Sequence, residues 1–184
     1  MRVIVIGAGI VGLLCARALG RAGAEVTVLA GGGARASEGS LVWLNVCSAQ
    51  DTGYALLRAA SLARWADLGD AGWPVRFPGS LMWGDEMARA APMMAAAGWP
   101  AEHIGANRFA ELAPGVAEPP AEALFFPGEG MGDPAELLDH AAAEAGAVAT
   151  RRRGRAVALR PGALDLADGT ALQADRIVVA AGCG

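Results

Sequence analysis

Three glycines near the N-terminus have the type and the spacing that could hold a phosphate group. They belong to the G-x-G-x-x-G segment Gly7-Ala8-Gly9-Ile10-Val11-Gly12. In such a segment the first glycine permits a tight turn, the second lets a pyrophosphate approach the backbone, and the third lets a helix pack closely. Amides at the helix start and the positive end of its dipole then hold the negative charge. Alone the pattern is weak, because a tight strand-to-helix turn without a ligand gives the same string.

The neighbouring elements decide whether this segment is a binding loop. Residues 3–6 form a β-branched run that is typical of a strand buried on both faces. Residues 11–22 are rich in Leu, Ala and Arg and stop at Gly23, which favours a helix, and residues 25–29 return to strand character. Strand, helix and strand in this order predict a βαβ unit with the glycines at its first turn. The sequence therefore predicts dinucleotide binding.

One residue of the dinucleotide pattern is absent at the end of the second predicted strand. An Asp or Glu there normally binds the ribose 2′-hydroxyl, but Ala30 holds the place. Loss of a charged hydrogen bond costs about 1.5–3 kcal/mol, which weakens a site without abolishing it. Arg35 lies a few residues on, and a small residue followed by an arginine can accommodate a 2′-phosphate. An NADP site and a degenerate site that binds no nucleotide therefore stay open as alternatives.

The middle of the chain predicts a second lobe. Residues 30–40 are rich in glycine and serine and predict a loop. An apolar stripe at near-helical spacing predicts an amphipathic helix over residues 53–68. The stripe consists of Tyr54, Leu57, Trp65 and Leu68. Most of the prolines lie between residues 69 and 132, among short helical and strand-like pieces, and this stretch is interpreted as an inserted lobe.

The C-terminal third of the chain again predicts strands and a helix of the nucleotide-binding part. Asp133-Pro134 is a good helix start, and the turns at Pro161-Gly162 and Asp168-Gly169 predict a small antiparallel meander. Residues 177–180 predict another buried strand. The fold class is therefore α/β: a Rossmann-like βαβ fold with a parallel central sheet and a small antiparallel meander, plus part of an α+β substrate lobe. The predicted domains are 1–68 and 133–184 for the nucleotide-binding part and 69–132 for the lobe.

Composition excludes some functions. Of 184 residues 54% are apolar and the formal net charge is −4, which argues against disorder and against nucleic-acid binding. The scattered Cys15, Cys47 and Cys183 suit neither a disulfide framework nor a metal site. The apolar run after Arg2 is too short for a signal peptide, and no stretch reaches the ~20 apolar residues of a membrane span. We therefore expect a soluble protein of the reducing cytoplasm.

The order of further motifs along the whole chain resembles the D-amino-acid oxidase family of FAD enzymes, which includes glycine and sarcosine oxidases. The similar segments are Ala36-Ser37 with Ser40, Trp43 and Asn45; Tyr54, Leu57, Arg58, Ser61, Leu62 and Trp65; Glu111 to Gly115; Phe126-Pro127 with Gly130 and Asp133-Pro134; and Ile177 to Gly182. The co-linear order is more specific than any single motif. The resemblance implies FAD instead of a nicotinamide cofactor.

The resemblance also implies roles for individual residues. It places Gly7, Gly9 and Gly12, with the intervening Ala8, Ile10 and Val11, at the pyrophosphate of FAD. It implies that Ala36, Ser37 and Ser40 line this group, that the backbone of Ala156 meets the adenine, and that Ala181 and Gly182 approach the cofactor from the last strand. Ala30 departs from the family, which has a ribose-binding acid at this position. Trp43 and Asn45 could face the flavin or substrate, and packing in the core is the alternative for Trp43.

The function implied by the resemblance is oxidation of the C–N bond of an amino acid or secondary amine. In that family a hydride passes from the substrate to the flavin, and the imine product hydrolyses in water. Family members continue well beyond the last predicted strand, so the chain resembles the N-terminal half of such an enzyme. We expect it to act with the missing half or with a second polypeptide. The alternatives are a non-catalytic subunit that completes an FAD site with a second chain, and an NADP-dependent reductase.

Overall fold

The computed structural model describes residues 1–32 and 36–182. In chain order the strands and helices are β1 (Arg2–Ile6), α1 (Ile10–Arg21), β2 (Glu25–Ala30), β3 (Trp43–Leu44), α2 (Thr52–Asp70), β4 (Val75–Arg76), β5 (Ser80–Met82), α3 (Glu86–Ala96), β6 (Glu102–Gly105), α4 (Ala106–Leu112), β7 (Glu122–Phe126), β8 (Gly130–Gly132), α5 (Pro134–Gly146), β9 (Ala149–Arg153), β10 (Ala156–Arg160), β11 (Ala163–Leu166), β12 (Ala171–Gln173) and β13 (Arg176–Val179). A short 3₁₀ helix spans Ala36–Gly39.

The chain divides into two compact units. The first unit comprises Met1–Ser40 and Pro134–Gly184, and the second comprises Leu41–Asp133. Helix α2 belongs to the second unit by its contacts. The functional boundary expected between residues 68 and 69 stays a prediction.

The first unit is built on a four-stranded parallel sheet in the order β13-β1-β2-β9. Val3 and Val5 of β1 and Val28 of β2 are almost completely buried, as their β-branched run predicts. Helix α1 packs against α5, and the carboxylate of Glu144 pairs with Arg17 at 2.8 Å and with Arg21 at 2.7 Å. The βαβ unit and the parallel sheet expected from the sequence are confirmed.

An antiparallel meander of β10, β11 and β12 completes the first unit. Its turns contain Gly162 and Gly169, which have φ angles of 73° and 84°. Only glycine adopts such angles without strain, so these turns follow directly from the sequence. Leu164 and Leu166 of β11 pack in one cluster with Leu29. The meander predicted from the two turns is confirmed.

The second unit combines helices with two small antiparallel sheets, in the orders β3-β8-β4 and β5-β7-β6. Its core contains Val46, Leu62, Met94, Leu124 and Phe126. The α+β character predicted for the lobe is confirmed. Within the described residues, no helix is both long enough and apolar enough to cross a membrane.

Candidate functional site

The glycine loop joins the end of β1 to the start of α1, and two of its glycines are required by packing. At Gly7 the φ angle is 113°, and a Cβ atom would lie 2.2 Å from the carbonyl oxygen of Ala180. At Gly12 a Cβ atom would lie 2.0 Å from the carbonyl oxygen of Gly7. Real Cβ atoms do not approach backbone this closely, so both positions admit only glycine without a shift of the chain.

Gly9 differs from its two neighbours, because the described part of the fold does not fill the space beside it. It is the N-cap of α1 in an extended conformation, with φ −76° and ψ 177°. A Cβ atom there would meet only the Oγ atom of Ser37, at 3.5 Å. The first-turn amides of a helix have no intrahelical acceptor, and the first turn of α1 carries no acidic side chain. This open backbone at a helix start fits a pyrophosphate group.

Ser37 is brought to this loop from the 3₁₀ helix. Its Oγ atom accepts a hydrogen bond from the backbone N–H of Ile10 at 3.3 Å. Ala36 and Ser40, on either side of Ser37 along the chain, are exposed. Of the loop residues between the glycines, Ala8 is buried, Ile10 is half-buried and Val11 is exposed.

The last strand also reaches the glycine loop. Strand β13 lies beside β1, and the N–H of Ala180 donates to the carbonyl of Ile6 at 2.8 Å. A Cβ atom on Gly7 would lie 3.2 Å from the Cα atom of Ala181, and Gly182 follows with a φ angle of 70°. The structure thus brings Ala181 to the loop, as the resemblance implies. Cys183 lies outside the described residues.

Ala30 stands at the end of β2, where the family has its ribose-binding acid. Its carbonyl accepts a hydrogen bond from the N–H of Gly154 at 3.0 Å. A Cβ atom on Gly32 would lie 3.7 Å from an NH2 nitrogen of Arg153. A cation therefore lies close to this strand end. Arg35, on which the NADP alternative rests, lies outside the described residues.

Ala156 begins β10 and is half-buried opposite Leu166 of β11. No described contact joins its backbone to the glycine loop. Its assignment to the adenine stays a prediction.

The second unit has an open depression of about 320 Å³ on α2 and the segment that contains β3. Its lining residues are Trp43, Leu44, Asn45, Tyr54, Leu57, Arg58, Ser61, Leu62 and Trp65. Tyr54 and Leu57 are 44% and 65% exposed. The helix expected from the apolar stripe is present as α2, but these two residues of the stripe are not buried and border a concave surface instead.

A polar cluster lies in this depression. The NH1 nitrogen of Arg58 donates to Asn45 Oδ1 and to Ser48 Oγ, each at 2.6 Å, and Ser48 Oγ donates to Asn45 Oδ1 at 2.5 Å. The guanidinium carbon of Arg58 also lies 4.8 Å from the centre of the Tyr54 ring. Asn45 is buried, whereas Trp43 is 46% exposed. Of the two interpretations offered for Trp43, complete burial in a core does not hold.

Sequence reasoning missed the buried carboxylate of Glu129, which is completely inaccessible. Its Oε1 atom accepts hydrogen bonds from the backbone N–H groups of Val46 and Cys47, each at 2.7 Å. Its Oε2 atom accepts from Ser80 Oγ at 2.5 Å and from the Cys47 thiol at 3.2 Å. Burial and the neighbouring carboxylate raise the pKa of the Cys47 thiol far above its usual range. A lone glutamate in a Gly-rich segment gives no sequence signal for this role.

A parallel βαβ unit whose glycine loop joins the first strand to the helix is the arrangement of the dinucleotide-binding α/β folds. The family model of the FAD-dependent oxidoreductases related to D-amino-acid oxidase matches residues 2–184. The chain therefore belongs to this family. A comparison with curated protein sequences found no match.

Solved structures of similar fold include several amine and amino-acid enzymes. Iminodiacetate oxidase from Chelativorans sp. BNC1 is 24% identical with a TM-score of 0.82, and the match covers 98% of this chain and 55% of that one. Glycine oxidase from Geobacillus kaustophilus is 21% identical with a TM-score of 0.85, over 98% of this chain and 55% of the other. L-amino acid deaminase from Proteus vulgaris is 18% identical with a TM-score of 0.83, over 98% and 47%. The chain thus spans about half the length of these proteins.

Proposed function

We propose that this chain forms the FAD-binding N-terminal half of an oxidoreductase that oxidises the C–N bond of an amino acid or secondary amine. The observation that carries the proposal is the contrast within the glycine loop. Gly7 and Gly12 are closed in by backbone, whereas among the described residues only Ser37 Oγ approaches the position of a Cβ atom on Gly9 at the start of α1. Membership of an FAD-dependent family supports the choice of cofactor.

Particular residues would hold the cofactor. The backbone of Gly7, Gly9 and Gly12 and the first turn of α1 would bind its pyrophosphate, and Ser37 would line this group together with Ala36 and Ser40. Ala156 would meet the adenine, and Ala181 and Gly182 would approach from the last strand. When bound, FAD supplies the acceptor for the two electrons that the substrate loses.

The protein's own task in this reaction is to hold the amine and exclude competing reactions. The substrate loses two electrons and two protons across its C–N bond, and water then cleaves the imine to a carbonyl compound and either ammonia, from a primary amine, or an amine, from a secondary one. The residues must orient the carbon that loses hydrogen and favour the neutral amine, because a protonated nitrogen has no lone pair to share. This chemistry needs no general base on the chain, and the sequence suggests none.

The chain would act together with a further part of similar size. Relatives of similar fold are about twice as long. Within the described residues β13 pairs with β1 alone, and Val179 on this strand is 62% exposed. These observations support a continuation of the polypeptide or a second chain that completes the site. A non-catalytic subunit is the alternative if that further part carries no substrate site.

An NADP-dependent reductase is a second, weaker candidate. It is favoured by Ala30 in place of a ribose-binding acid and by the guanidinium of Arg153 close to Gly32. A positive charge at this strand end suits a 2′-phosphate. Separate titrations with NADPH and FAD distinguish the two candidates. Tight binding of NADPH without tight binding of FAD would favour the reductase.

The activity is tested with the assembled protein, that is, this chain together with its further part. The flavin-loaded protein is mixed without oxygen with glycine, alanine, proline, sarcosine and iminodiacetate, and the visible flavin absorbance is followed. We expect at least one amine to bleach the flavin, whereas propionate, which lacks the amine, leaves it unchanged. Bound flavin that no amino acid or secondary amine reduces would contradict the proposed oxidation and favour the non-catalytic subunit.

A further inference from the structure

The depression of the second unit contains a positive charge that the described residues do not neutralise. Arg58 donates to Asn45 Oδ1 and Ser48 Oγ, and both of these acceptors are neutral. No carboxylate lies within ion-pair distance of its guanidinium in the described part of the chain. The buried carboxylate of Glu129 is bonded to Val46, Cys47 and Ser80 instead. The positive charge of Arg58 therefore has no counterion among the described residues.

The hydrogen bonds of Arg58 leave one side of its guanidinium available. A guanidinium has five N–H donors, two of them on NH1. The NH1 donors are used by Asn45 and Ser48, and the donors on Nε and NH2 have no partner among the described residues. Two parallel N–H groups on one edge of an arginine match the two oxygens of a carboxylate.

The guanidinium is also held in place before any ligand arrives. Its central carbon lies over the Tyr54 ring, 4.8 Å from the ring centre, and a cation over an aromatic face is attracted by the ring. Its acceptor Asn45 is fixed in turn, because the Nδ2 atom donates to the Trp43 carbonyl at 3.1 Å. Groups fixed in advance lose little conformational entropy when they bind.

The surroundings of Arg58 favour an organic anion over an inorganic one. The large apolar side chains of Trp43 and Leu57 are exposed at the depression, and Trp65 lines it as well. A volume of about 320 Å³ is at the lower end of small-molecule sites. Such a surface pairs one charged contact with apolar contacts, which a carboxylate on a small hydrocarbon group satisfies and a phosphate ion does not.

We propose that Arg58, supported by Asn45, Ser48 and Tyr54, binds the carboxylate of a small organic acid whose apolar part rests on Trp43 and Leu57. If the proposed function holds, this acid is the amino-acid substrate, and this identification of the ligand rests on the proposed function. The binding of a carboxylate by Arg58 does not depend on the proposed function. Arg58 would select carboxylate-bearing amines over simple amines.

Calorimetric titration of the protein with benzoate tests this site, with benzamide as the neutral isostere and inorganic phosphate as the inorganic anion. We expect saturable binding of benzoate only. Arg58→Gln is expected to weaken it about tenfold or more, corresponding to about 1.4 kcal/mol. Arg64→Gln is the matched control, because Arg64 lies on the same helix but is 85% exposed and paired with Asp67; it is expected to leave binding unchanged. Arg58→Lys, which keeps the charge but loses the planar fork, is expected to be intermediate and serves if the glutamine variant does not fold.

Several results would overturn the site. They are the absence of saturable benzoate binding, equal binding of benzamide or phosphate, or equal losses in the Arg58 and Arg64 variants. A parallel FAD titration on the same samples separates the two proposals. FAD binding without benzoate binding removes only the carboxylate site, and benzoate binding without FAD binding removes only the proposed function.

Discussion

At the scale of single residues, Glu129 holds the segment from which the depression of the second unit is built. Its carboxylate accepts from two successive backbone amides, of Val46 and Cys47, immediately after Asn45. A buried carboxylate is stable only when such donors surround it. Through these bonds Glu129 fixes the direction of the chain that presents Asn45 to Arg58.

The thiol of Cys47 gives a pH-dependent test of this buried cluster. Its pKa is raised in the folded protein by burial and by Glu129. Above about pH 8.5, the ordinary thiol pKa, the unfolded chain loses the proton that the folded chain keeps. The free energy of unfolding is therefore expected to fall by about 1.4 kcal/mol per pH unit from this group as pH rises further, and to gain nothing from it at lower pH.

Urea unfolding at several pH values from about 7 to about 10.5 measures this effect. The control is Cys47→Ser, whose hydroxyl still donates to Glu129 but does not titrate in this range. We expect the wild-type protein to lose stability relative to the variant only above about pH 8.5. An identical pH dependence of the two proteins would show that Cys47 is not protonated and buried as described.

Residues in the glycine loop could be predicted, whereas Glu129 and the partners of Arg58 could not. The loop is a local pattern of six residues between a strand and a helix, and its glycines follow from backbone geometry. Glu129 lies 82 positions from Cys47 and 49 from Ser80. Contacts at such separations depend on how the unit packs, and a single sequence does not encode that packing in any short motif.

At the scale of elements, the start of α1 combines a packing requirement with an open surface. Gly12 lets α1 lie close to the β1 end, whereas Gly9 leaves its backbone accessible.

For helix α2, the sequence predicted the extent of the helix but not which of its residues are buried. Its extent was predicted almost correctly, and Asp51 caps it by accepting from the Tyr54 N–H at 2.8 Å. Its apolar residues Tyr54 and Leu57 did not mark a buried face, because periodicity alone does not separate a core from a binding surface.

The two glycines of the loop are expected to respond differently to the same change. Gly12→Ala places a Cβ atom 2.0 Å from a backbone oxygen, and such overpacking is expected to lower the free energy of unfolding by about 3 kcal/mol. Gly9→Ala meets only Ser37 Oγ at 3.5 Å and is expected to change stability by less than about 0.5 kcal/mol. Urea unfolding of both variants checks this, and equal losses would contradict the described packing of the loop.

At the scale of the whole molecule, the fold class was predictable from the sequence, whereas the compact units depend on packing between distant residues. Alternating strand and helix signals define the parallel sheet, and the two glycine turns define the meander. The assignment of α2 to the second unit depends on its packing in that unit's core, which includes Ala55 and Leu62. The chain spans about half the length of the solved structures of similar fold, which supports the proposal that a further part completes the site.

The proposed function requires that this chain bind FAD through the loop around Gly9, and a flavin titration of the assembled protein measures that binding. Wild-type protein and Gly9→Ala are titrated with FAD, and bound flavin is measured by its visible absorbance after removal of free cofactor. We expect stoichiometric flavin in the wild type and a dissociation constant raised about tenfold or more in the variant, a loss of about 1.4 kcal/mol without loss of fold. Wild-type protein that retains no flavin, or a Gly9→Ala variant that binds it equally well, would contradict the account.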